Sequence, residues 1–328
     1  MPGTHAEKPL AAWLGHDRYQ DQVLRSLTII LKTGGCRWNR CRMCSYRHER
    51  YGAVPQGDLE SLILAQLDAV RSEFAVADAD MVKIYTSGSF FDTREVPREA
   101  RDAAARLFSG KLVIAETRPE YVDETEVSRF RDAIDTGRWQ TPLYVAMGLE
   151  TTSDAVREKS IDKGFTMEDF KKAVRIARSA GAGVKTYLLH KPLFLTEAEA
   201  MADMQSSIRD LAGLSDMVSM NPCTVQRGTE LEWYWKRGAY RPPYLWSVLE
   251  LLSGAPVHVT CDPVGGGRER GPHNCGSCDP PLVRGIREYS ISGDRELLKE
   301  LRETWCPCRD EWSFVLREER PYCAPLTR

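Results

Sequence analysis

An α/β fold carried by a parallel sheet is predicted from three observations. Short apolar runs of strand length alternate six times with amphipathic stretches of helix length, and every run gives way to a polar loop. Composition agrees: 42% of the 328 residues are hydrophobic and 28% charged, the balance of a globular chain with material for a large core. Repeated strand and helix units imply parallel strands joined by right-handed crossovers, in a sheet either open or curled toward a barrel.

The predicted strands are, in order, Leu27 to Leu31 (LTIIL), Met81 to Thr86 (MVKIYT), Leu112 to Ala115 (LVIA), Leu143 to Met147 (LYVAM), Val184 to Leu189 (VKTYLL) and Met217 to Asn221 (MVSMN). Helical patterns between them cover 58–74, 97–108, 124–135, 167–180 and 197–211. Two more, over 230–235 and 245–252, lead to VHVT and then to DPVGGGRERGPHNCGSCDPP, where Gly and Pro end the alternation. The expected organisation is an N-terminal extension over 1–25, the α/β domain over 26–260 and a small cysteine-bearing domain over 261–328.

Charge and hydropathy narrow the class. With 45 Lys+Arg against 47 Asp+Glu the net charge is −2, so bulk charge does not bind nucleic acid and only a local basic patch could. No apolar stretch approaches the roughly 20 residues of a membrane span, and the start of the chain lacks a secretory signal. A cytoplasmic location with reduced cysteines is expected, which turns the ten cysteines toward metal or catalytic roles.

In parallel α/β sheets ligands bind at the loops after the carboxyl ends of strands. Here those loops begin Thr33-Gly-Gly-Cys36, Thr86-Ser-Gly-Ser-Phe-Phe-Asp92, Glu116-Thr-Arg-Pro-Glu120, Gly148-Leu-Glu-Thr151, His190-Lys-Pro192 and Asn221-Pro-Cys-Thr-Val-Gln226. All six are polar. His190, Lys191, Glu116 and Arg118 are the candidate catalytic residues, as proton donors or substrate holders. Phe90 and Phe91 fit core packing first and stacking on an extruded base second.

The first loop carries the sharpest signal. Cys36, Cys41 and Cys44 offer three thiolates within nine residues, enough to converge on one soft metal centre. An iron-sulfur cubane so held keeps one iron open for a ligand; a zinc staple completed by His48 is the alternative. A second group, Cys275-x2-Cys278 with Cys306-x-Cys308, has the paired spacing of a four-thiolate zinc site, and an auxiliary iron-sulfur cluster also fits it. His273 could replace one of those cysteines. Cys223, Cys261 and Cys323 are expected to be spare thiols, with Cys223 nearest the reacting face.

On the cysteine loop and the strand-end loops together, the chain resembles the radical S-adenosylmethionine (SAM) superfamily, whose members bind a [4Fe-4S] cluster after the first strand of a partial (β/α)6 barrel. The usual spacing there is Cys-x3-Cys-x2-Cys; the additional residue between Cys36 and Cys41 is a departure that leaves the trio intact. The resemblance implies SAM on the open iron, with Tyr46 over the adenine and Thr86, Ser87, Gly88 and Ser89 along the methionyl group. It further implies Glu150 at the ribose, and Asn221 and Val225 near the adenine.

ETRP at 116–119, SIDKG at 160–164 and NPCTVQRGT at 221–229 resemble the Elongator-like branch, many of whose members act on tRNA. More closely, ILKTGGCRWNRCRMCSYR with YTSGSFFD, ETRPE, GLET and NPCTVQRGTELE is similar to the family of archaeosine synthase radical SAM subunits over about residues 25–260. That resemblance implies a lyase-type enzyme working with a lysine-transferring alpha subunit and an electron donor. The expected reaction cleaves the lysine adduct of preQ0 at position 15 of archaeal tRNA to archaeosine, through a 5′-deoxyadenosyl radical. Arg37, Arg40, Arg42, Arg47 and Arg50, with His48, crowd the cysteine loop as RNA-contact candidates, although acids, the SAM carboxylate or solvent could equally meet them. Two other readings stand beside this one: another radical SAM enzyme of tRNA or base modification, and a zinc-stapled scaffold that recruits tRNA or a partner.

Overall fold

The computed structural model describes residues 7–320. Its eight strands form one sheet in chain order, β1 to β8. They are β1 (Ala11–Tyr19), β2 (Gln22–Ile30), β3 (Met81–Tyr85), β4 (Leu112–Thr117), β5 (Leu143–Glu150), β6 (Gly183–His190), β7 (Met217–Pro222) and β8 (Val259–Cys261). After each of β2 to β7 a helix follows: α1 (Gln56–Glu73), α2 (Arg98–Leu107), α3 (Glu124–Ile134), the short α4 (Asp154–Val156) with α5 (Met167–Ser179), α6 (Glu197–Asp210) and α7 (Glu230–Trp235). This is the succession of the expected (β/α)6 partial barrel. Then come α8 (Leu245–Gly254), α9 (Asp279–Ser292), α10 (Arg295–Glu303) and α11 (Cys308–Glu318). No helix among the described residues is long and apolar enough to cross a membrane.

The sequence pattern missed β1 and the short β8. β1 pairs antiparallel with β2 from Ala11 against Ile30 to Tyr19 against Gln22, through a two-residue turn in which Gln20 takes φ 51°. Its residues are mostly half-buried or exposed, as on an edge strand, so no apolar run announces it. The described part of the segment read as an N-terminal extension therefore holds β1 and the start of β2, and the predicted first strand is the carboxyl half of β2. β4 to β7 all run past their expected carboxyl ends, β6 to His190 and β7 to Pro222. β4 extends to Thr117 and β5 to Glu150, which moves Glu116 and Glu150 from loops onto strand ends.

The chain divides into two compact units. The first takes in the described chain up to Asn39, Tyr46–Gly148 and Glu168–Lys185. Its parallel pairs β2, β3, β4 and β5 are in register, Leu27 beside Val82 and Val82 beside Val113. Helix α1 buries Leu59, Ile63, Leu67 and Val70, the four-residue and three-residue spacing of one helical face, and each such side chain contributes about 1.5–3 kcal/mol. Gln66, also buried, is satisfied because its amide meets both the N–H and the C=O of Lys32 at 2.8 and 2.9 Å. Asp123 caps α3 through the Glu126 N–H.

The second unit contains Arg40–Ser45, Leu149–Met167 and the described chain from Thr186 onward. Here α6 opens with a capping box between Thr196 and Glu199, and Thr229 caps α7. β7 and β8 pair in parallel, and Trp246, Tyr244, Leu282, Ile286 and Tyr289 make the carboxyl-terminal core. Three helices with buried Leu298 and Ile286 make up the described part of the carboxyl-terminal cysteine-bearing region.

Candidate active site and a four-cysteine centre

In the first unit the site starts at the carboxyl end of β2. Thr33, fully buried, donates its hydroxyl to Glu95 Oε1 at 2.7 Å and accepts the Gly35 N–H at 3.2 Å. Glu95 Oε2 accepts the Ser89 N–H at 2.6 Å, so one buried carboxyl ties the cysteine loop to the Thr86–Ser89 strip. Burial pushes the Glu95 carboxyl up to about 7, against the pull of those donors. The strip is fixed further by the Gly88 N–H on Thr86 Oγ1 at 3.1 Å, the Arg118 N–H on Ser89 Oγ at 3.1 Å and the Phe90 N–H on the Glu116 carbonyl at 2.9 Å. Gly88 faces Cys36: an added Cβ would lie 2.5 Å from the cysteine Cα. Cys36 is half-buried and Tyr46 is 44% exposed.

In the second unit, the segment holding Cys41 and Cys44 lies on α7. The Arg42 N–H donates to the Ile161 carbonyl at 2.9 Å, the Leu231 N–H donates to the Arg42 carbonyl at 3.2 Å, and Arg42 pairs with Glu230 at 2.6 Å. Ser45 donates its N–H and its hydroxyl to Gln226 at 3.0 and 2.7 Å. Glu150 ends β5 in the left-handed region, φ 70°, and accepts from Lys163 at 2.6 Å. Asn221 is half-buried on β7; Val225 is buried, and its N–H donates to the Arg270 carbonyl at 2.7 Å.

Placement of the other candidates follows the same division. Arg37 pairs with buried Asp92 at 3.7 Å, Arg40 with Asp162 at 3.2 Å and Arg42 with Glu230, so these arginines of the cysteine loop are engaged within the protein. Arg50 packs its methylenes over Gly35, and Arg47 is half-buried. Arg118 is nearly enclosed and donates to Glu120 at 2.6 Å, whereas Glu116 is half-buried. His190 is fully buried, and burial lowers its imidazole to about 4. Lys191, 2% exposed, is paired with the fully buried Glu197 at 2.7 Å. Phe90 and Phe91 pack edge to face with Phe130 and are core residues, not stacking platforms, because neither presents a ring to solvent.

The four later cysteines converge. Cys275 Sγ lies 3.9 Å from Cys278 and 3.5 Å from Cys306, and Cys308 lies 3.6 Å from Cys278 and 3.3 Å from Cys306. All four sulfurs fall within 4.8 Å of one another, close enough to hold one ion. Trp246 Nε1–H and Asn274 Nδ2–H donate to Cys308 and Cys278 at 3.2 and 3.4 Å, the outer contacts that orient thiolate ligands. His273 is not in the converging group; its Nδ1 meets the Gly271 carbonyl at 2.8 Å. Cys223 and Cys261 are buried, and burial pushes the Cys223 thiol up to about 12. Cys323 lies outside the described residues.

Sequence reasoning passed over Glu95, Lys83 and Lys185. The last two stand in the middle of β3 and β6, and a lysine inside an otherwise apolar strand run was a signal available to be read. Lys185 is buried, and burial together with Lys83 lowers its ammonium to about 8, partly offset by Asp17 and Glu116. Glu95 carried no such signal, because EVP after a polar loop looks like a helix approach.

The family model for the radical SAM superfamily matches residues 30–204. Archaeosine synthase subunit beta of Methanosarcina acetivorans is 39% identical across 97% of this chain and 93% of its own length. The protein of that name from Thermococcus kodakarensis is 34% identical across 93% of this chain and 95% of its own. Among solved structures, Methanocaldococcus infernus Elp3 with an N-terminal deletion aligns at TM-score 0.45 and 20% identity, over 63% of this chain and 53% of that one.

Proposed function

The chain belongs to the radical SAM superfamily, and from that premise we propose that it is a tRNA-modifying lyase that converts lysine-modified preQ0 to archaeosine. The observation that carries the reading is the near full-length similarity to two proteins named archaeosine synthase subunit beta. A lysine-transferring alpha subunit and an electron donor are the partners this reading requires.

The superfamily implies a [4Fe-4S] cluster and SAM, and the residues present fit them. Three half-buried cysteines on the β2 loop supply the soft donor set, and Gly88, without a side chain, lets the backbone of the Thr86–Ser89 strip come into direct contact with Cys36. We assign Cys36, Cys41 and Cys44 to the cluster, and Tyr46, Thr86, Ser87, Gly88, Ser89, Glu150, Asn221 and Val225 to SAM. When bound, these groups together supply a 5′-deoxyadenosyl radical.

The chain's own residues then hold and orient. Glu95 keeps the Thr86–Ser89 strip against the cysteine loop through Ser89 and Thr33. Arg118 fixes the same strip by its backbone N–H, which makes it a positioning residue. Half-buried Glu116 is the candidate for substrate contact. His190 and Lys191, enclosed at the end of β6, set the backbone there rather than reach a substrate. The four-cysteine centre, remote in sequence, holds the carboxyl-terminal helices by a bound metal.

The test is direct. Anaerobically reconstituted protein, SAM, dithionite and tRNA carrying lysine-modified preQ0 are combined, and mass spectrometry follows archaeosine and 5′-deoxyadenosine. Formation of both in a SAM-dependent way supports the reading. 5′-Deoxyadenosine without archaeosine rejects the substrate assignment, and neither product despite a verified cluster rejects the enzymatic role.

A further inference from the structure

We propose that α7 carries a platform that holds unpaired RNA bases and their phosphates, with Trp233 as the stacking ring and Arg227, Lys236 and Arg237 as the phosphate contacts. The inference deepens the tRNA reading above and rests on it.

Trp233 is 49% exposed, which its packing does not demand. The Arg237 guanidinium lies 3.7 Å from the indole centre and donates to the Trp233 carbonyl at 3.2 Å, which fixes the ring against its own helix. Tyr234 meets the same indole edge to face at 4.8 Å. A ring held in this way offers a rigid apolar face next to a planar cation, the combination on which nucleobases stack.

The local charge points to a polyanion. The two carboxylates of α7 are both taken up inside the protein: Glu230 by Arg42 at 2.6 Å, and Glu232 by Arg270 at 2.6 Å and Lys236 at 3.4 Å. Arg237 lies on the indole and Lys236, three residues after Trp233, is exposed, so cations stand beside the ring although the chain as a whole carries −2; Arg227, exposed, precedes the helix.

Position supplies the last argument. Helix α7 follows the loop from the carboxyl end of β7, and the segment with Cys41 and Cys44 is bonded to it through Arg42 and Leu231. RNA seated on Trp233 therefore lies beside the segment that provides two of the three cluster thiolates.

The experiment measures binding of an unmodified tRNA transcript to the reconstituted enzyme by fluorescence anisotropy over a salt series. Trp233→Ala is expected to weaken binding about tenfold or more at fixed salt. Arg237→Gln is expected to weaken it and to lower the slope of log Kd against log salt by about one. Iron content and thermal midpoint of each variant are matched to wild type first, so loss of fold is not mistaken for loss of binding. Variants that bind the transcript as wild type does overturn the platform while leaving the tRNA reading in place. Variants that keep RNA but lose the lysine-transferring subunit make the surface a protein interface, which also overturns it. A wild-type enzyme that binds no tRNA removes the tRNA reading and the platform together.

Discussion

Gly88 and Cys36 approach so closely that a Cβ on the glycine would stand 2.5 Å from the cysteine Cα and would also meet the Glu95 carboxylate. Backbone on one side and a buried, doubly bonded carboxyl on the other leave nothing that can yield. Gly88→Ala should therefore push Cys36 off its position, at about 1–3 kcal/mol of overpacking. The expected outcome is a folded protein with a lower denaturation midpoint and sub-stoichiometric iron after reconstitution. Full iron loading with unchanged SAM affinity would show that the strip and the cysteine loop move independently.

Two buried groups in separate units give the protein opposing pH dependences. Burial holds His190 near 4 against an ordinary 6.5, so the unfolded chain takes the proton first. Its stability contribution is complete above about pH 6.5 and is lost as pH falls toward 4, some 3 kcal/mol in all. Glu95 runs the other way. Its carboxyl, raised to about 7 from 4.5, keeps its proton longer in the folded state, so stability is lost as pH rises from 4.5 toward 7, by a similar amount. Between about pH 4.5 and 6.5 the two slopes oppose each other. Urea midpoints across that window should fall with rising pH in His190→Gln and climb with it in Glu95→Gln. Parallel profiles in both variants would contradict the assignment.

What the sequence made legible, and what it did not, divides by physical cause. Six strands with their helices were readable because parallel strands buried on both faces are continuous apolar runs. β1 was not, because an edge strand with a solvent face has no such run. The convergence of Cys275, Cys278, Cys306 and Cys308 was readable from spacing, since thiolate ligands come in short local pairs. Glu95 was illegible, because its role depends on Thr33 and Ser89 reaching it from two different loops. The arginines around the cysteines were legible as a cluster, yet Asp92, Asp162 and Glu230, which engage three of them, lie far away in sequence.

Lys191 supplies a test of enclosure. Its ammonium faces Glu197, which is fully buried, accepts the Tyr244 N–H at 2.9 Å, and has its pKa lowered by Lys191 and His190 in spite of burial. Removing the lysine alone strands that carboxylate, a change that costs about 3–5 kcal/mol. Lys191→Met is expected to be strongly destabilised, and Lys191→Met with Glu197→Gln to recover a large part of the loss in urea denaturation. Additive losses in the double variant would mean that the two side chains act separately.

The four-cysteine centre should hold a single ion rather than a cluster. A tetrahedral zinc with bonds of about 2.3 Å sets its thiolates about 3.8 Å apart. The four closest sulfur pairs here span 3.3 to 3.9 Å, which leaves no room for a cage of several irons between them. Elemental analysis of the purified protein should give one zinc per chain in addition to the iron of the β2 loop. Cys278→Ser should lose the zinc, keep the iron and melt earlier, because α9 begins at Asp279 and α11 at Cys308, and an ion held by the four cysteines would anchor both starts. Trp246 reports the loss directly: its indole N–H donates to Cys308 Sγ at 3.2 Å, so its fluorescence should shift when that thiolate is released. Extra iron in place of zinc, removed by Cys278→Ser, would establish an auxiliary cluster and require the sulfurs to sit farther apart than they do.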